Sequence, residues 1–316
     1  MTEFNYVHVI VTFNREKKVG KAVDSLLKQT VLPRKIVVFD NASTDDTQAI
    51  FEGENSKYKD DNRIHYVKSE ENLGGSGGFT QGIKIALKYE PDWISLSDDD
   101  AYLEPQYIEH IADKAGTDSN IGVLTGNMYK LANGEVEYHG RGNFDNKTTL
   151  HVTYPTDKDI EHDFQISMFS FVGPVIKTDV FEKVGLPRSE YFIHFDDIEF
   201  AARVMFAGYT AWNVASSIIR HDDDYTKLAS GKGMMRDWKY YYHTRNRYRS
   251  ILDDGQGSLI KKLAFMFAVN LKVTLDALTQ GSYAGVRGYR LRQVWLGMFD
   301  AFKHKLGVRE EYLPGK

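Results

Sequence analysis

A chain of 316 residues, 42% hydrophobic and 27% charged, is ordinary globular protein, long enough for one large domain or two modest ones. It has no cysteine, which excludes a disulfide framework and thiolate metal sites. Its net charge of −4 hides an asymmetry: residues 236–316 hold 15 Lys+Arg and 7 Asp+Glu, a balance of +8 that leaves −12 on residues 1–235.

Met1 to Asn5 lack the basic start and apolar core of a signal peptide, and no stretch reaches the roughly 18 uncharged apolar residues of a spanning helix. A cytoplasmic protein is therefore expected, either soluble or attached peripherally to the inner face of the cell membrane. Tyr6 to Phe13 is a continuous apolar, β-branched run, the pattern of a strand buried on both faces. Lys17 to Gln29 places Val19, Ala22, Val23, Leu26 and Leu27 at helical spacing, Pro33 stops it, and a second strand follows from Lys35 to Asp40. Strand, helix and strand make a right-handed βαβ unit, whose ligands bind beyond the carboxyl ends of the strands. Asp40 sits at such an end, where an acidic residue accepts a hydrogen bond from a nucleoside. Ser43 or Thr44 is expected to cap the helix running on to Phe51.

A third strand spans Arg63 to Val67. After it, Asn72-Leu73-Gly74-Gly75-Ser76-Gly77-Gly78-Phe79 is expected to form a loop opening a helix from Thr80 to Tyr89, its glycines letting backbone amides approach a pyrophosphate. Trp93 to Asp98 then delivers Asp98-Asp99-Asp100 to a strand end. Three adjacent carboxylates repel one another there. They make a hard oxygen site for Mn²⁺ or Mg²⁺, ions that keep positions open for substrate phosphates; a solvated acidic turn is the plainer alternative.

Farther on, a helix is expected from Glu104 to Ala115, a strand from Ile121 to Tyr129, and inserted hairpins over 130–165, signalled by Asn133-Gly134. Phe169 and Phe171 belong to an apolar stretch and are expected in the core. Phe195-Asp196-Asp197-Ile198-Glu199 opens another helix. Its aspartates serve either as caps or, beside aromatic rings, as a general base of raised pKa. His221, at a later strand end and followed by Asp222-Asp223-Asp224, is a candidate third metal ligand. Trp238 to Ser250, with Tyr240, Tyr241, Tyr242, His243, Arg245, Arg247 and Arg249, reads either as an amphipathic helix or as a phosphate-contacting one. From Ser258 to Leu306 the pattern is helical and basic, fit for core packing, an oligomer contact or an anionic membrane surface.

Taken together, Val11-Thr12-Phe13-Asn14-Arg15, Asp40-Asn41-Ala42-Ser43 with Asp45, the Asn72 to Phe79 stretch, Asp98-Asp99-Asp100, Phe195 to Glu199 and His221 resemble the family 2 inverting glycosyltransferases, most closely their galactofuranosyltransferase branch. The resemblance covers about residues 6–250. It implies a GT-A fold: a Rossmann-like α/β domain over 1–235 with a mostly parallel central sheet flanked by helices and inserted β-hairpins, followed by a C-terminal helical extension over 236–316.

By the same resemblance, Thr12, Asn14, Arg15, Asp40, Asn72, Gly74, Gly75, Gly77, Gly78, Phe79, Asp98 and Asp99 line a UDP-sugar donor site. Asp98, Asp100 and His221 hold Mn²⁺ or Mg²⁺, Asp197 is the base, and Asp196 and Glu199 support it or position the acceptor. The implied reaction is inverting transfer of a sugar, galactofuranose first, to a hydroxyl of a glycan or lipid-linked acceptor in cell-surface polysaccharide synthesis. Competing readings are a rhamnosyltransferase using dTDP-rhamnose and a non-catalytic nucleotide-sugar-binding scaffold. A nucleotidyltransferase is disfavoured because Thr12 to Glu16 lacks glycine. No nucleic-acid partner is expected.

Overall fold

All seven residues of the first strand, β1 (Tyr6–Thr12), are buried, because its two faces feed two separate cores. Tyr6 and Ile10 pack with α1 (Glu16–Leu27) and α4 (Tyr107–Ala115), whereas Val7, Val9 and Val11 pack with α3 (Gly74–Leu87), α5 (Thr178–Val184) and α6 (Asp196–Phe206). Period-2 alternation in a strand buried at every position thus builds a sheet covered by helices on both faces. The computed structural model describes residues 4–144, 152–222, 238–253 and 258–313.

Among these residues the other strands are β2 (Lys35–Asp40), β3 (Ile64–Lys68), β4 (Trp93–Asp98), β5 (Ala101–Leu103), β6 (Ile121–Lys130), β7 (Arg141–Phe144), β8 (Val152–Thr153), β9 (Phe164–Ile166), β10 (Met168–Phe169), β11 (Val175–Lys177) and β12 (Thr210–His221). The main sheet runs β3-β2-β1-β4-β11-β6-β12-β5, with β9 on β12; β10-β7-β8 form a small second sheet. The β3-β2-β1-β4 half is parallel, β11 is antiparallel to both its neighbours, and β12 is parallel to β6.

Register sets the site. Thr12 pairs with Asp40 and Val11 with Asp98, so three strands end at one level. β12 then lays His221 opposite Ala101, next to Asp100, although 120 residues of sequence separate them.

The remaining helices are α2 (Thr47–Glu52), α7 (Lys239–Asp253), α8 (Leu259–Thr279) and α9 (Arg287–Phe302). Helices α7 and α9 pack against each other, α7 also touches α6, and α8 leans on α9. The expected boundary at 235/236, and Asp223 and Asp224, lie outside the described residues. Of the expected hairpins, the Asn133-Gly134 turn forms as signalled: Gly134 takes φ +73°, and Tyr129 bridges to Val136. No described helix is long and apolar enough to cross a membrane.

Two expectations are corrected. Neither Ser43 nor Thr44 caps α2: the N-cap position is Asp46, which makes no side-chain cap bond, and Asp45 just before it accepts from Thr47 N (3.1 Å) and Thr47 Oγ1 (2.6 Å). The glycines do not form a loop before Thr80, because α3 begins at Gly74 and contains them. A Cβ at Gly78 would lie 2.6 Å from Val11 Cγ1 and one at Gly82 2.4 Å from Val9 Cγ1, so these glycines let the helix lie close on β1.

Candidate active site

The strand ends carry the first half of the site. Thr12 Oγ1 donates to Asp99 Oδ2 at 2.7 Å. Asn14, at φ +53°, ties the turn after β1 to the turn after β2: its N–H donates to Ser43 Oγ (2.9 Å) and its Oδ1 accepts from Thr44 N (2.7 Å). Arg15 reaches Asp100 at 3.8 Å. Asn72 Oδ1 accepts from Asn41 Nδ2 (3.0 Å) and Gly74 N (2.8 Å), fixing the entry to α3.

Several expected donor residues serve the scaffold in this structure. Asp40 is fully buried, its Oδ1 taken by Ser43 N (2.7 Å) and its Oδ2 by Tyr66 Oη (2.5 Å), so its carboxylate braces the loop and is not open to a ligand. The ring of Phe79 is buried 5.0 Å from that of Phe171 and belongs to the core, as Phe169 and Phe171 do. Gly74, at φ +71°, has no room for a Cβ, which would fall 2.0 Å from Phe192 O. Gly77 is buried beside Leu73, and Gly75 faces open space.

Asp98, Asp99, Asp100 and His221 meet at the end of β4. Burial, then Asp100 and Asp99, push the Asp98 carboxyl well above the usual range. Burial and Asp100 raise Asp99 to about 7. Asp100 also feels burial, but His221, Arg15 and Lys18 outweigh it and hold its carboxyl below the ordinary value. His221 points Nε2 at Asp100 Oδ1 (3.4 Å) and Nδ1 at Glu137 Oε2 (2.7 Å). These two acids overcome the burial of the imidazole and raise its pKa to about 10.

Among the described residues no three of these side chains already converge as a finished metal cage. The donor set nevertheless suits a hard divalent cation. Desolvation and the charge of Asp100 push Asp98 and Asp99 up despite His221 and Arg15, and the His221 imidazole is held in place by a carboxylate on its far nitrogen. Glu137 is the residue that sequence reasoning missed. It lies just past the Asn133-Gly134 turn, where its N–H pairs with Met128 O at 2.9 Å, on the hairpin beside the end of β12. That hairpin was its only signal.

The second half of the site is the start of α6. Asp196 and Asp197 lie at its first two positions, preceded by Phe192, His194 and Phe195, all at φ between 65° and 69°. Three such residues in four are strained backbone and need outside support. Asn246 on α7 supplies it, its Nδ2 donating to the carbonyls of Tyr191 (2.9 Å), Ile193 (3.0 Å) and His194 (2.8 Å), while Arg245 Nη2 donates to Tyr191 O at 3.0 Å. Burial raises Asp196 to about 6, and burial together with Asp196 raises Asp197 to about 7. Asp196 acts electrostatically on Asp98, so the two halves adjoin. Glu199 is fully buried between Arg188 Nε (2.8 Å) and Arg203 Nε (2.6 Å) and is therefore an ion-paired structural group rather than an acceptor contact.

A sequence model of the family described as Glycosyl transferase family 2 matches residues 8–185, more than half of the chain. The chain belongs to glycosyltransferase family 2. Among its relatives, galactofuranosyltransferase GlfT1 of Mycobacterium tuberculosis is 35% identical over 106 residues, 33% of each chain. The O-antigen chain rhamnosyltransferase RfbN of Salmonella typhimurium is 26% identical over 224 residues, 69% of this chain and 66% of that one. The match to GlfT1 thus spans about a third of that relative's length. Among solved structures, S. aureus TarS superposes with a TM-score of 0.59 at 18% identity over 94% of this chain and 80% of its own. GalNAc-T7 with UDP, GalNAc and Mn²⁺ does so with 0.60 at 13% identity over 96% and 58%. The fold is the GT-A fold, and this family 2 member has relatives named as galactofuranosyl- and rhamnosyltransferases.

Proposed function

We propose that this glycosyltransferase is inverting and metal-dependent, and that it moves galactofuranose from a UDP-sugar to a hydroxyl of a glycan or lipid-linked acceptor in cell-surface polysaccharide synthesis. The observation that carries the reading is the pair of acidic groups: a half-buried Asp197 of raised pKa at the start of α6, and the group of Asp98, Asp100 and His221, whose Asp98 feels the charge of Asp196. Asp98, Asp100 and His221 would hold Mn²⁺ or Mg²⁺, which when bound neutralises charge on the departing diphosphate. The structural neighbours whose structures hold UDP, UDP-GlcNAc or Mn²⁺ support a nucleotide-sugar donor and such an ion.

Asp197 takes the proton of the acceptor hydroxyl as that oxygen attacks the anomeric carbon. The bond from that carbon to the diphosphate breaks, and the nucleoside diphosphate leaves with the bonding pair. A single displacement with one base inverts the configuration. Asp196, adjacent and less perturbed, sustains the raised pKa of Asp197. Thr12 fixes Asp99 against the donor side, and the Asn14, Arg15 and Asn72 contacts shape the donor loops.

Transfer of rhamnose from dTDP-rhamnose is the second reading, favoured by the longer match to RfbN. A thermal-shift and hydrolysis screen of UDP-galactofuranose, UDP-galactopyranose, UDP-glucose, UDP-N-acetylglucosamine and dTDP-rhamnose, each with Mn²⁺ and with chelator, decides between them. Metal-dependent stabilisation and slow turnover of UDP-galactofuranose are expected. Response to dTDP-rhamnose alone would transfer the assignment, and silence toward every donor by folded protein would leave a scaffolding role.

The C-terminal helices suit an anionic membrane surface on its cytoplasmic side. On α8, Ile260, Phe267, Leu271, Leu275 and Leu278 form one exposed apolar stripe, and Lys261 and Lys272 are exposed alongside it. Its occupant is argued from charge: the region from residue 236 onward carries +8, against −12 on the rest.

A further inference from the structure

Arg290, one turn into α9, is 7% exposed, and two of its guanidinium nitrogens, Nε and Nη1, are buried without a hydrogen-bond partner. A buried cation with idle donors is costly, because desolvation is not offset by any acceptor. Its guanidinium lies over an aromatic face: Cζ is 3.5 Å from the centroid of the Tyr240 ring. The Tyr240 ring stacks on His243 (5.9 Å), which meets His194 edge-on (6.2 Å) and Phe195 (5.6 Å). His194 and Phe195 belong to the strained turn that presents Asp196 and Asp197.

Two guanidiniums, those of Arg247 and Arg290, act on the His243 imidazole. After burial, the groups that depress His243, to about 3, are His194, Arg247 and Arg290, all bases. The first turn of the 16-residue α9 adds the positive end of a helix dipole. Neutral imidazoles, an aromatic shelf and a guanidinium with two free N–H groups make an anion site of the kind arginine builds for phosphate. This site is separate in composition from the donor set, which is carboxylates and one imidazole.

We propose that Arg290, with Arg247, His194, His243 and Tyr240, binds a phosphate group of the acceptor, specifically the diphosphate of a lipid-linked saccharide. The inference rests on the glycosyltransferase reading above and names its acceptor class. Anchoring the acceptor's diphosphate behind the turn at residues 192–195 sets its sugar toward Asp197, while the donor diphosphate lies on the other side at Asp98 and Asp100. The neighbouring α8 has its apolar stripe exposed, which accommodates the hydrocarbon of such an acceptor.

The test is calorimetric binding of farnesyl diphosphate and of inorganic pyrophosphate to the full chain in chelator, so that no metal-bound donor site competes, with UDP plus Mn²⁺ titrated separately. Arg290→Gln is expected to weaken farnesyl diphosphate binding by about tenfold or more, as for loss of a charge-assisted contact, and to leave UDP–Mn²⁺ affinity within about twofold. Arg290→Lys, which keeps the charge without the planar fork, is expected to fall between wild type and Gln and guards against simple misfolding. Tighter binding of farnesyl diphosphate than of pyrophosphate supports the lipid-linked source; equal binding overturns that source in favour of a free phosphate group. Unchanged farnesyl diphosphate binding in Arg290→Gln overturns the site. An equal loss of UDP–Mn²⁺ reassigns Arg290 to the donor and overturns it too. Failure of the wild type to bind UDP–Mn²⁺ at all is a separate result, which strikes the donor reading rather than this one.

Discussion

Asp197 lies half-buried at a helix start, and desolvation together with its neighbour Asp196 raises its pKa to about 7. Asp197→Asn removes the proton acceptor while keeping shape, so kcat is expected to fall by about 10²–10⁴-fold with donor affinity within a fewfold; single-turnover transfer beside UDP titration checks it. Because the base works only when ionised, wild-type kcat should rise with pH through about 7 and level above it. A flat profile between pH 6 and 8 would remove the assignment. Glu137 acts through His221, at 2.7 Å from Nδ1, and Glu137→Gln is expected to lower Mn²⁺ affinity by about 10–100-fold, read by electron paramagnetic resonance of free Mn²⁺. The aspartates and His221 were legible in sequence because carboxylate runs at strand ends have few structural uses. Glu137 was not, since its role exists only once a hairpin is laid beside β12.

At the scale of elements, the parallel strands and their helices follow from periodicity, and the order of β1, α1 and β2 was readable directly. What periodicity does not carry is why a helix lies where it does. The glycines of α3 look like a phosphate loop, yet Gly78 and Gly82 are glycine because β1 leaves no space for a Cβ. The turn from Phe192 to Phe195 hides a similar dependence, since nothing in its own residues offsets three positive φ angles. Asn246, 52 residues beyond His194, does so with one amide group donating to three carbonyls. Asn246→Ala orphans those carbonyls and is expected to cost about 1–3 kcal/mol, seen as a lower urea midpoint, and to reduce kcat more than the donor KM. An unchanged kcat in a destabilised variant would make α7 a stabilising helix only.

For the whole molecule, the charge division seen in composition maps onto the fold: the acidic part bears the strand-end aspartates, and the basic helices carry the apolar stripe of α8. Whether that stripe meets a membrane or another protein surface was open in the sequence, because helical spacing tells which face is apolar but not what covers it. Removing residues 258–316 would not test it cleanly, since α9 packs on α7 and α7 braces the turn before Asp197. Substitution on the exposed face avoids that: Phe267 and Leu271 are 53% and 45% exposed, so Phe267→Glu with Leu271→Glu should leave the thermal midpoint nearly unchanged. Each glutamate both removes apolar area and opposes an anionic surface. Binding to vesicles containing phosphatidylglycerol is therefore expected to drop at least about tenfold in a sedimentation assay, and wild-type binding to weaken as salt is raised from 0.05 to 0.5 M, about where the screening length falls well below 10 Å. Salt-insensitive binding that survives both substitutions would exclude this face as the membrane contact, and a change of sedimentation coefficient on substitution would assign it instead to a second copy of the chain.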